Sequence, residues 1–413
     1  MLSIGILVSY LDRVNLSASH AALIVAFGVS DVTFGYLSGA YNFTYWLCQL
    51  PIGVVLDRFG VRRVGRVGTL LWSVATFGGA LAPSLGALFG ARFLLGVGEA
   101  PTFPASAKAV GQWFPPQERS LPTALFDSAA KLSSVIGIPL VGFVLLKAGW
   151  RWGFAVTGAI SVAYFVYFWR VYRSPDEDIG LSAAERRHIA SDVPGTALAD
   201  EPASPLWRLL SERKVLGLAL GFGSYNYIFY LLLTWLPSYF TFALHIDLMH
   251  SFLYTSVPWL IATVCELSIG GWLVDFLVKR GVDANRVRRV ALIGGACCGL
   301  GILGAAHAHT AAQALVWISL SISGLSVHAA VGWSLPSLIA SRRDVGKVAG
   351  IVNFSNQISG IAAPIITGYL VTALHSYAWV FGVAAIYLAI GICGYVFLLG
   401  RIQRPQPPTL WCS

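Results

Sequence analysis

Long apolar segments recur along the whole chain and are separated by short polar turns. Twelve of them are long enough to cross a bilayer as helices of about 20 residues. None alternates apolar with polar positions, and each is about twice as long as a tilted barrel strand requires. The pattern predicts an all-α membrane protein with twelve transmembrane helices. The predicted spans lie at about 1–23, 33–56, 64–84, 86–111, 122–146, 152–171, 215–242, 250–278, 288–307, 311–336, 348–373 and 377–400.

The composition supports a protein embedded in lipid. The 413 residues are 56% hydrophobic and only 11% charged, with a mean hydropathy of +0.70. Ordinary globular proteins contain about 25% charged residues. The net charge of +9 does not indicate nucleic acid as a partner, because the basic residues border the spans and form no RNA- or DNA-binding motif. The six cysteines have no spacing typical of a metal site or a disulfide framework.

Basic residues in the turns predict the orientation of the chain. Most of the 28 lysines and arginines lie in or beside the turns that follow even-numbered spans, or in the C-terminal tail. By the positive-inside rule, both termini are expected in the cytoplasm, in the inner or plasma membrane of the cell. No removable signal peptide is expected. The first span is short on its N-terminal side, so we expect the chain to start upstream of Met1.

One long polar segment divides the chain into two halves that resemble each other. Gly53 precedes Asp57 by one helical turn after span two, and Gly271 precedes Asp275 in the same way after span eight. Related halves of six helices predict a binding site near the midplane that opens alternately to each side. In the linker, Ser182 and Glu185 form a capping-box pattern that predicts a helix at about 183–191. The predicted units are a six-helix bundle at 1–171, a cytoplasmic linker at 172–214, a second bundle at 215–400 and a tail at 401–413.

The turn after span two reads Gly-Val-Val-Leu-Asp-Arg-Phe-Gly-Val-Arg-Arg from Gly53 to Arg63. This turn resembles that of the major facilitator superfamily, and the similarity covers nearly the whole chain. The resemblance implies two pseudo-symmetric six-helix bundles, with this turn latching the halves on the cytoplasmic side. A role in topology alone is the alternative. The residues to which we assign gating or structural roles are Asp57, Arg58, Arg62 and Asp275.

Four further segments narrow the resemblance to the anion:cation symporter branch, which carries sugar acids and other organic anions. They are Tyr10–Ser17, Arg92–Pro104, Tyr225–Pro237 and Asn353–Gly360. The resemblance implies a small organic anion as substrate and H⁺ as coupling ion, with no cofactor and no metal.

Seven ionisable residues lie inside the predicted spans, where each charge costs about 2.5–3.5 kcal/mol on insertion scales and must be paired, hydrated or used. Arg92 and Glu99 lie two helical turns apart on one face, so we expect both to face one cavity. Arg92 is our first candidate for the substrate carboxylate, because a guanidinium binds both oxygens and keeps its proton. A purely structural ion pair is the alternative. The seven are Asp12, Arg13, Arg92, Glu99, Asp127, Lys131 and Glu266.

Asp12 and Arg13 are adjacent and therefore point about 100° apart around their helix. We expect Arg13, a second substrate-binding candidate, to pair with Glu99, and Asp12 to lie near polar groups or water. Our hypothesis is that Asp12 and Glu99 bind protons and that the substrate competes with Glu99 for the arginines. A purely structural role is the alternative for Asp12.

Asp127 and Lys131 are one turn apart and are expected to pair. Lys131 is either a third cation for a dicarboxylate or is neutralised by Asp127, and the sequence favours neither. No partner for Glu266 can be identified, so a cavity or packing role is expected there. His328 is expected to be packed or hydrated. The polar residues expected to bind substrate hydroxyls, or else to bond between helices, are Tyr45, Tyr225, Asn226, Asn353, Asn356 and Gln357.

Together these patterns predict a monomeric carrier that imports a sugar acid, such as an aldonate, aldarate or hexuronate, by proton symport. A carrier or exchanger of another carboxylate, aromatic or aliphatic, is the alternative. An enzyme is not expected, because no nucleophile, metal or cofactor constellation has suitable spacing. A sensor is not expected either, since the tail after Arg401 is too short for a signalling domain.

Overall fold

The computed structural model describes residues 1–114, 120–178, 180–190, 205–340 and 345–402. Within these ranges every regular element is helical, which confirms the predicted fold class. The first six transmembrane helices are α1 (Leu2–Ala18, continued by His20–Phe27), α2 and α3 (the two arms of Asp31–Ala80), α4 (Leu85–Glu99, continued by Thr102–Trp113), α5 (Ser120–Ala148) and α6 (Trp150–Val171).

The second six helices include three π-helical stretches. They are α7 (Arg213–Ser238, with a π-helical end at Tyr239–Ala243), α8 (Leu248–Cys265, π-helical Glu266–Leu273 and Val274–Lys279), α9 (Ala284–Gly299 and Ile302–Ala305), α10 (Ala311–Gly332), α11 (Val345–Leu374) and α12 (Tyr377–Cys393, with a π-helical end at Gly394–Leu399). Short helices lie outside this set at Pro175–Glu177, Ala183–Ala190, Leu206–Ser211 and Leu335–Ile339.

Not every helix is by itself both long enough and apolar enough to span a membrane. Among the described residues, eight helices are long and apolar enough to span a membrane, and one bent pair raises the number to nine. Of the remainder, α1 has a first segment of only 17 residues. Another, α4, is broken between Glu99 and Thr102. Breaks within helices therefore contribute to the difference between the twelve predicted spans and the eight or nine helices that are individually long and apolar enough.

The predicted turn between spans two and three is a single backbone break. The helix Asp31–Ala80 departs from helical geometry at Gly60, where φ is 76° and ψ is 164°. A side chain would be strained at this positive φ, so glycine is required for the chain to change direction here. The two arms on either side of Gly60, α2 and α3, therefore correspond to the two predicted spans.

Met1, Ile402 and the described parts of the linker lie at one end of the bundle, which we call the linker end. Arg62 Nη1, after α2, donates to Glu177 Oε2 of the linker at 2.8 Å. The amide of Ile402 donates to Asn285 Oδ1, at the start of α9, at 2.8 Å. The opposite end, which carries the α1–α2 and α7–α8 turns, is called the far end.

The predicted linker helix is present as Ala183–Ala190. Glu185 Oε2 accepts from the Ser182 amide at 2.9 Å, and Ser182 Oγ accepts from the Glu185 amide at 3.2 Å. These bonds form the predicted capping box. The bonds that the Glu185 carboxylate accepts from the Ser182 amide and hydroxyl lower the pKa of Glu185, so the cap weakens as the pH falls through the pKa of the folded state.

Among the described residues, the most extensive contacts between the first six helices and the last six are those of α2 with α11, α5 with α8, and α1 with α7. Polar bonds occur across them. Asn42 Nδ2 donates to the Gly360 carbonyl at 2.9 Å, and Ser17 Oγ donates to the Thr234 carbonyl at 2.7 Å. Lipid gives little hydrophobic drive for helix association, so such bonds and close packing hold membrane helices together.

Two glycines of α4 allow close packing, as their sequence position suggests. A Cβ on Gly96 would collide with the Tyr41 carbonyl of α2, and one on Gly98 with the Trp72 backbone of α3. We expect Gly96→Ala to reduce stability by about 1–3 kcal/mol through overpacking, measured as thermal unfolding of the purified protein. Gly90→Ala is the matched control, because nothing lies within 4 Å of its Cβ on the same helix. Equal melting temperatures for the two variants would contradict this account.

Candidate functional site

A buried ion pair lies where α1 and α4 meet the second half of the chain. Arg13 Nη2 is 3.1 Å from Glu99 Oε2, and Arg13 Nε is 3.4 Å from the same oxygen. The Arg13 side chain is 7% exposed and that of Glu99 is fully buried. This is the pairing expected from the sequence. A buried pair of this kind is costly to break because one partner is left as an uncompensated charge.

Tyrosines surround the Arg13–Glu99 pair. The Arg13 guanidinium carbon lies 4.0, 4.7 and 5.7 Å from the ring centres of Tyr10, Tyr41 and Tyr45. These rings attract the cation through their π faces. Arg13 Nη1 also donates to the hydroxyl of Tyr230 on α7 at 3.4 Å. The guanidinium is thus bordered by both halves of the chain.

The hydroxyl of Tyr41 completes the Glu99 environment. It donates to Glu99 Oε2 at 2.7 Å, so this oxygen accepts from an arginine and a tyrosine together. Sequence reasoning assigned Tyr45 to the site but missed Tyr10, Tyr41 and Tyr230. Tyr41 precedes Tyr45 by one helical turn on α2, and this spacing could have identified it.

Arg92 bonds to α1, and a cavity shared by Arg92 and Glu99 stays a prediction. Arg92 Nη1 donates to the main-chain carbonyl of Asp12 at 3.1 Å. Arg92 and Asp12 line a small cavity with Thr76 and Phe154 that does not include Glu99. The guanidinium bonds to the backbone of α1 and lies 5.4 Å from the Phe154 ring centre. The proposed role of Arg92 at the substrate carboxylate stays a prediction.

Asp12 lies among polar groups, as expected. Its Oδ2 accepts from Thr76 Oγ1 on α3 at 2.8 Å and from Ser161 Oγ on α6 at 3.3 Å. Asp12 is 1% exposed, and its cavity has space for about one water molecule. A carboxylate held by two hydroxyls beside an arginine can exist with or without its proton.

A second charged cluster joins α5 to α8. Lys131 Nζ lies 3.4 Å from Asp127 Oδ2 and 2.8 Å from Glu266 Oε2. The expected pair of Asp127 with Lys131 is therefore present. Glu266, for which the sequence suggested no partner, is the closer of the two carboxylates. Its partner lies 135 positions away in the other half, where sequence spacing gives no guide.

The predicted polar residues of α7 and α11 divide into different contacts. Asn226 Nδ2 donates to the Asn356 carbonyl at 2.7 Å, which is an interhelical bond within the second half. Asn353 Nδ2 donates instead to Gln49 Oε1 of α2 at 3.4 Å. Gln357 and Tyr225 are buried. Interhelical bonds, the alternative role, are thus present at Asn226 and Asn353, and the substrate-binding roles of the group stay predictions.

The predicted gating residues lie at the linker end. Arg62 pairs with the linker through Glu177, Arg58 is exposed beside Phe59, and Asp275 is exposed. The side chain of Asp57 lies outside the described part of the structure.

Two buried histidines have different surroundings. His328 bonds to the Leu292 carbonyl at 3.0 Å and to the Tyr395 hydroxyl at 3.1 Å, so it is packed as expected. His20, which sequence reasoning did not select, bonds to Ser238 Oγ at 2.7 Å and lies 3.4 Å from Asp31. His20 therefore links α1 to α2 and α7 near the far end.

Comparisons with known proteins agree with this architecture. The family model described as Major Facilitator Superfamily matches residues 2–361. The uncharacterized transporter YybO of Bacillus subtilis (strain 168) is 39% identical over 98% of this chain and 94% of that protein. The D-galactonate transporter of Escherichia coli O6:H1 (strain CFT073) is 31% identical over 98% of this chain and 95% of its own length.

A solved structure shows the same fold. The bacterial homolog of the human lysosomal transporter Spinster, inward-facing and unoccupied, matches with a TM-score of 0.75 and 16% identity, over 96% of this chain and 95% of that one. Its identity is low, so the likeness concerns the fold alone. With twelve helices in two halves and a family match along most of its length, the chain belongs to the Major Facilitator Superfamily and is a multi-pass membrane transporter rather than an enzyme.

Proposed function

We propose that this transporter imports an organic anion, specifically a sugar acid such as an aldonate, aldarate or hexuronate, together with protons. The observation that carries the proposal is the buried Arg13–Glu99 pair, which Tyr230 reaches from the other half. A substrate carboxylate has the same chemistry as the Glu99 side chain and can replace it on Arg13. The full-length likeness to a D-galactonate transporter supports a sugar acid.

Displacement of Glu99 couples substrate to proton. A carboxylate that loses Arg13 inside a buried site is far more stable when protonated, because an isolated buried charge is costly. Substrate binding at Arg13 and proton binding at Glu99 therefore favour each other. Asp12, held by Thr76 and Ser161, is the second proposed proton carrier.

Two protons give a monoanion, such as an aldonate or a hexuronate, an inward driving force from the membrane potential. Moving one negative charge into a cell at −100 mV costs about 2.3 kcal/mol. One accompanying proton cancels this charge, whereas two make the transported complex net positive. The two carboxylates Asp12 and Glu99 make a two-proton cycle feasible.

The orientation, the domain division and the oligomeric state belong to the same proposal. The linker end, where Arg62 meets the linker, is placed in the cytoplasm of the cell membrane, in agreement with the basic residues in its turns. The two bundles, 1–171 and 215–400, rock about the site as a monomer. Residues 172–214 connect them.

Uptake into proteoliposomes tests the proposal. We expect aldonates, aldarates or hexuronates to be accumulated when the exterior is acidic, and we expect no accumulation when a protonophore removes the pH gradient. Empty liposomes provide the background, and aromatic and aliphatic acids provide the comparison. Uptake of a sugar acid that ignores the pH gradient would reject symport, and lack of uptake of every sugar acid would reject the substrate class.

A carrier or exchanger of another carboxylate is the second candidate. The aromatic surroundings of the site favour an aromatic acid in particular. Tyr10 lies 6.4 Å from Phe103 and 6.5 Å from Phe229, centre to centre, and Phe229 lies 5.3 Å from Trp259. Accumulation of benzoate-like acids in the same assay, without sugar acids, would select this candidate.

A further inference from the structure

The Asp127–Lys131–Glu266 cluster has no part in the proposed proton and substrate steps. Besides its 2.8 Å contact with Glu266 Oε2, Lys131 Nζ donates to Glu266 Oε1 at 3.0 Å. The Lys131 and Glu266 side chains are 3% and 6% exposed, and that of Asp127 is 20% exposed. One ammonium group thus serves two carboxylates. With all three ionised, the cluster carries one excess negative charge inside the protein.

The backbone of α8 is distorted where it supplies Glu266. This residue begins the π-helical stretch Glu266–Leu273. Such turns are rare and occur frequently at functional sites. In the same stretch, a Cβ on Gly270 would collide with Ala330 of α10, so α8 is tightly packed behind the cluster. Glu266 therefore contacts α5 from a widened part of α8, and this part of α8 packs closely against α10.

Within the part of the chain that the structure describes, few other titratable groups face the cluster. The hydroxyls of Tyr225 on α7 and Tyr10 on α1 interact electrostatically with Lys131. His328 on α10 is turned away and bonds to the Leu292 carbonyl and the Tyr395 hydroxyl. On α8 itself, Asp275 is exposed and lies more than two helical turns beyond Glu266.

We propose that Glu266 is a proton-binding site that controls the separation of α5 from α8. The inference rests on alternating access, as proposed above. Pulling ionised Glu266 away from Lys131 would leave a buried carboxylate without a cation, which is strongly unfavourable. A proton taken up from water by Glu266 removes that charge. Lys131 then keeps Asp127, one helical turn away on its own helix.

Asp127 makes this release possible. When Glu266 is protonated, the cluster consists of a neutral acid on α8 and a neutral ion pair within α5, and the two helices can part without stranding a charge. Loss of the proton restores the attraction between α5 and α8. Without Asp127, protonation of Glu266 would leave Lys131 without a carboxylate, so the link would stay ionised and closed.

Distance measurements between spin labels test the proposal without any substrate. The labels are attached to Leu146→Cys on α5 and Met249→Cys on α8, both exposed near the far end, after the native cysteines are replaced. In the parent protein we expect short and long distances whose ratio shifts toward the long one as the pH falls. Glu266→Gln should give the long distance at every pH, and Asp127→Asn should retain the short one.

Glu266→Asp is the conservative control, because it keeps a titratable carboxylate and should retain the pH-dependent shift. Glu266→Asp also provides a test if Glu266→Gln fails to fold. If the distance ratio does not change with pH in the parent protein and in Glu266→Asp, the proposal is overturned. A Glu266→Gln protein that responds to pH like its parent would overturn it too. So would Asp127→Asn opening like Glu266→Gln. Since no transported solute is added, these outcomes are independent of whether the sugar-acid uptake assay succeeds.

Discussion

Arg13→Ala is expected to abolish uptake of the organic anion at every pH. The substitution removes the guanidinium that pairs with Glu99 and that lies against the rings of Tyr10 and Tyr41. Truncating one partner of a buried charge pair typically costs about 2–5 kcal/mol, which is a fall in affinity of roughly 30-fold or more at 1.4 kcal/mol per tenfold. Substrate binding by calorimetry and uptake into proteoliposomes measure the two effects separately.

Three further variants separate binding from folding. Arg13→Lys keeps the charge but loses the planar fork, so we expect most of the affinity to be lost. Arg13→Ala combined with Glu99→Gln removes the stranded carboxylate and should recover stability without recovering binding. Arg170→Ala, an exposed arginine near the end of α6, should behave like the parent. Normal affinity in Arg13→Ala would exclude this residue as the substrate's carboxylate partner.

The fold could be predicted from the sequence because the bilayer allows few structures for long apolar segments. Helix number followed from apolar length, and the linker helix followed from the local bonds of Ser182 and Glu185. Irregularities were not predictable. The sequence of the turn does not single out Gly60 as the position of the break, because the pattern alone is compatible with a break at neighbouring turn residues. The π-helical stretch at Glu266 packs against α10, and no local sequence pattern indicates that contact.

The site was predictable only in part, for a related reason. The pairing of Arg13 with Glu99 followed from the need of each buried charge for a partner. For Arg92 the same need is met by a main-chain carbonyl of α1, and because any residue type can offer a carbonyl, this contact could not be predicted from the sequence. Contacts between the halves were missed most often. Tyr230 and Glu266 approach their partners only once the halves assemble.

Glu99→Gln is expected to remove the share of proton-driven accumulation that depends on Glu99, while exchange of substrate across the membrane continues. Glutamine keeps the size of the side chain and can still accept from Tyr41 and Arg13, but it cannot take up or release a proton. A gradient of one pH unit supplies about 1.4 kcal/mol per proton, or a tenfold concentration ratio, and the tenfold factor contributed by the proton on Glu99 should be lost. Counterflow and pH-driven uptake in the same liposomes separate the two activities, and Glu185→Gln in the linker is the matched control. Accumulation at the parent level by Glu99→Gln would show that proton coupling does not depend on Glu99. Asp12, which Thr76 and Ser161 hold in a polar cavity, would then be the remaining proposed proton carrier.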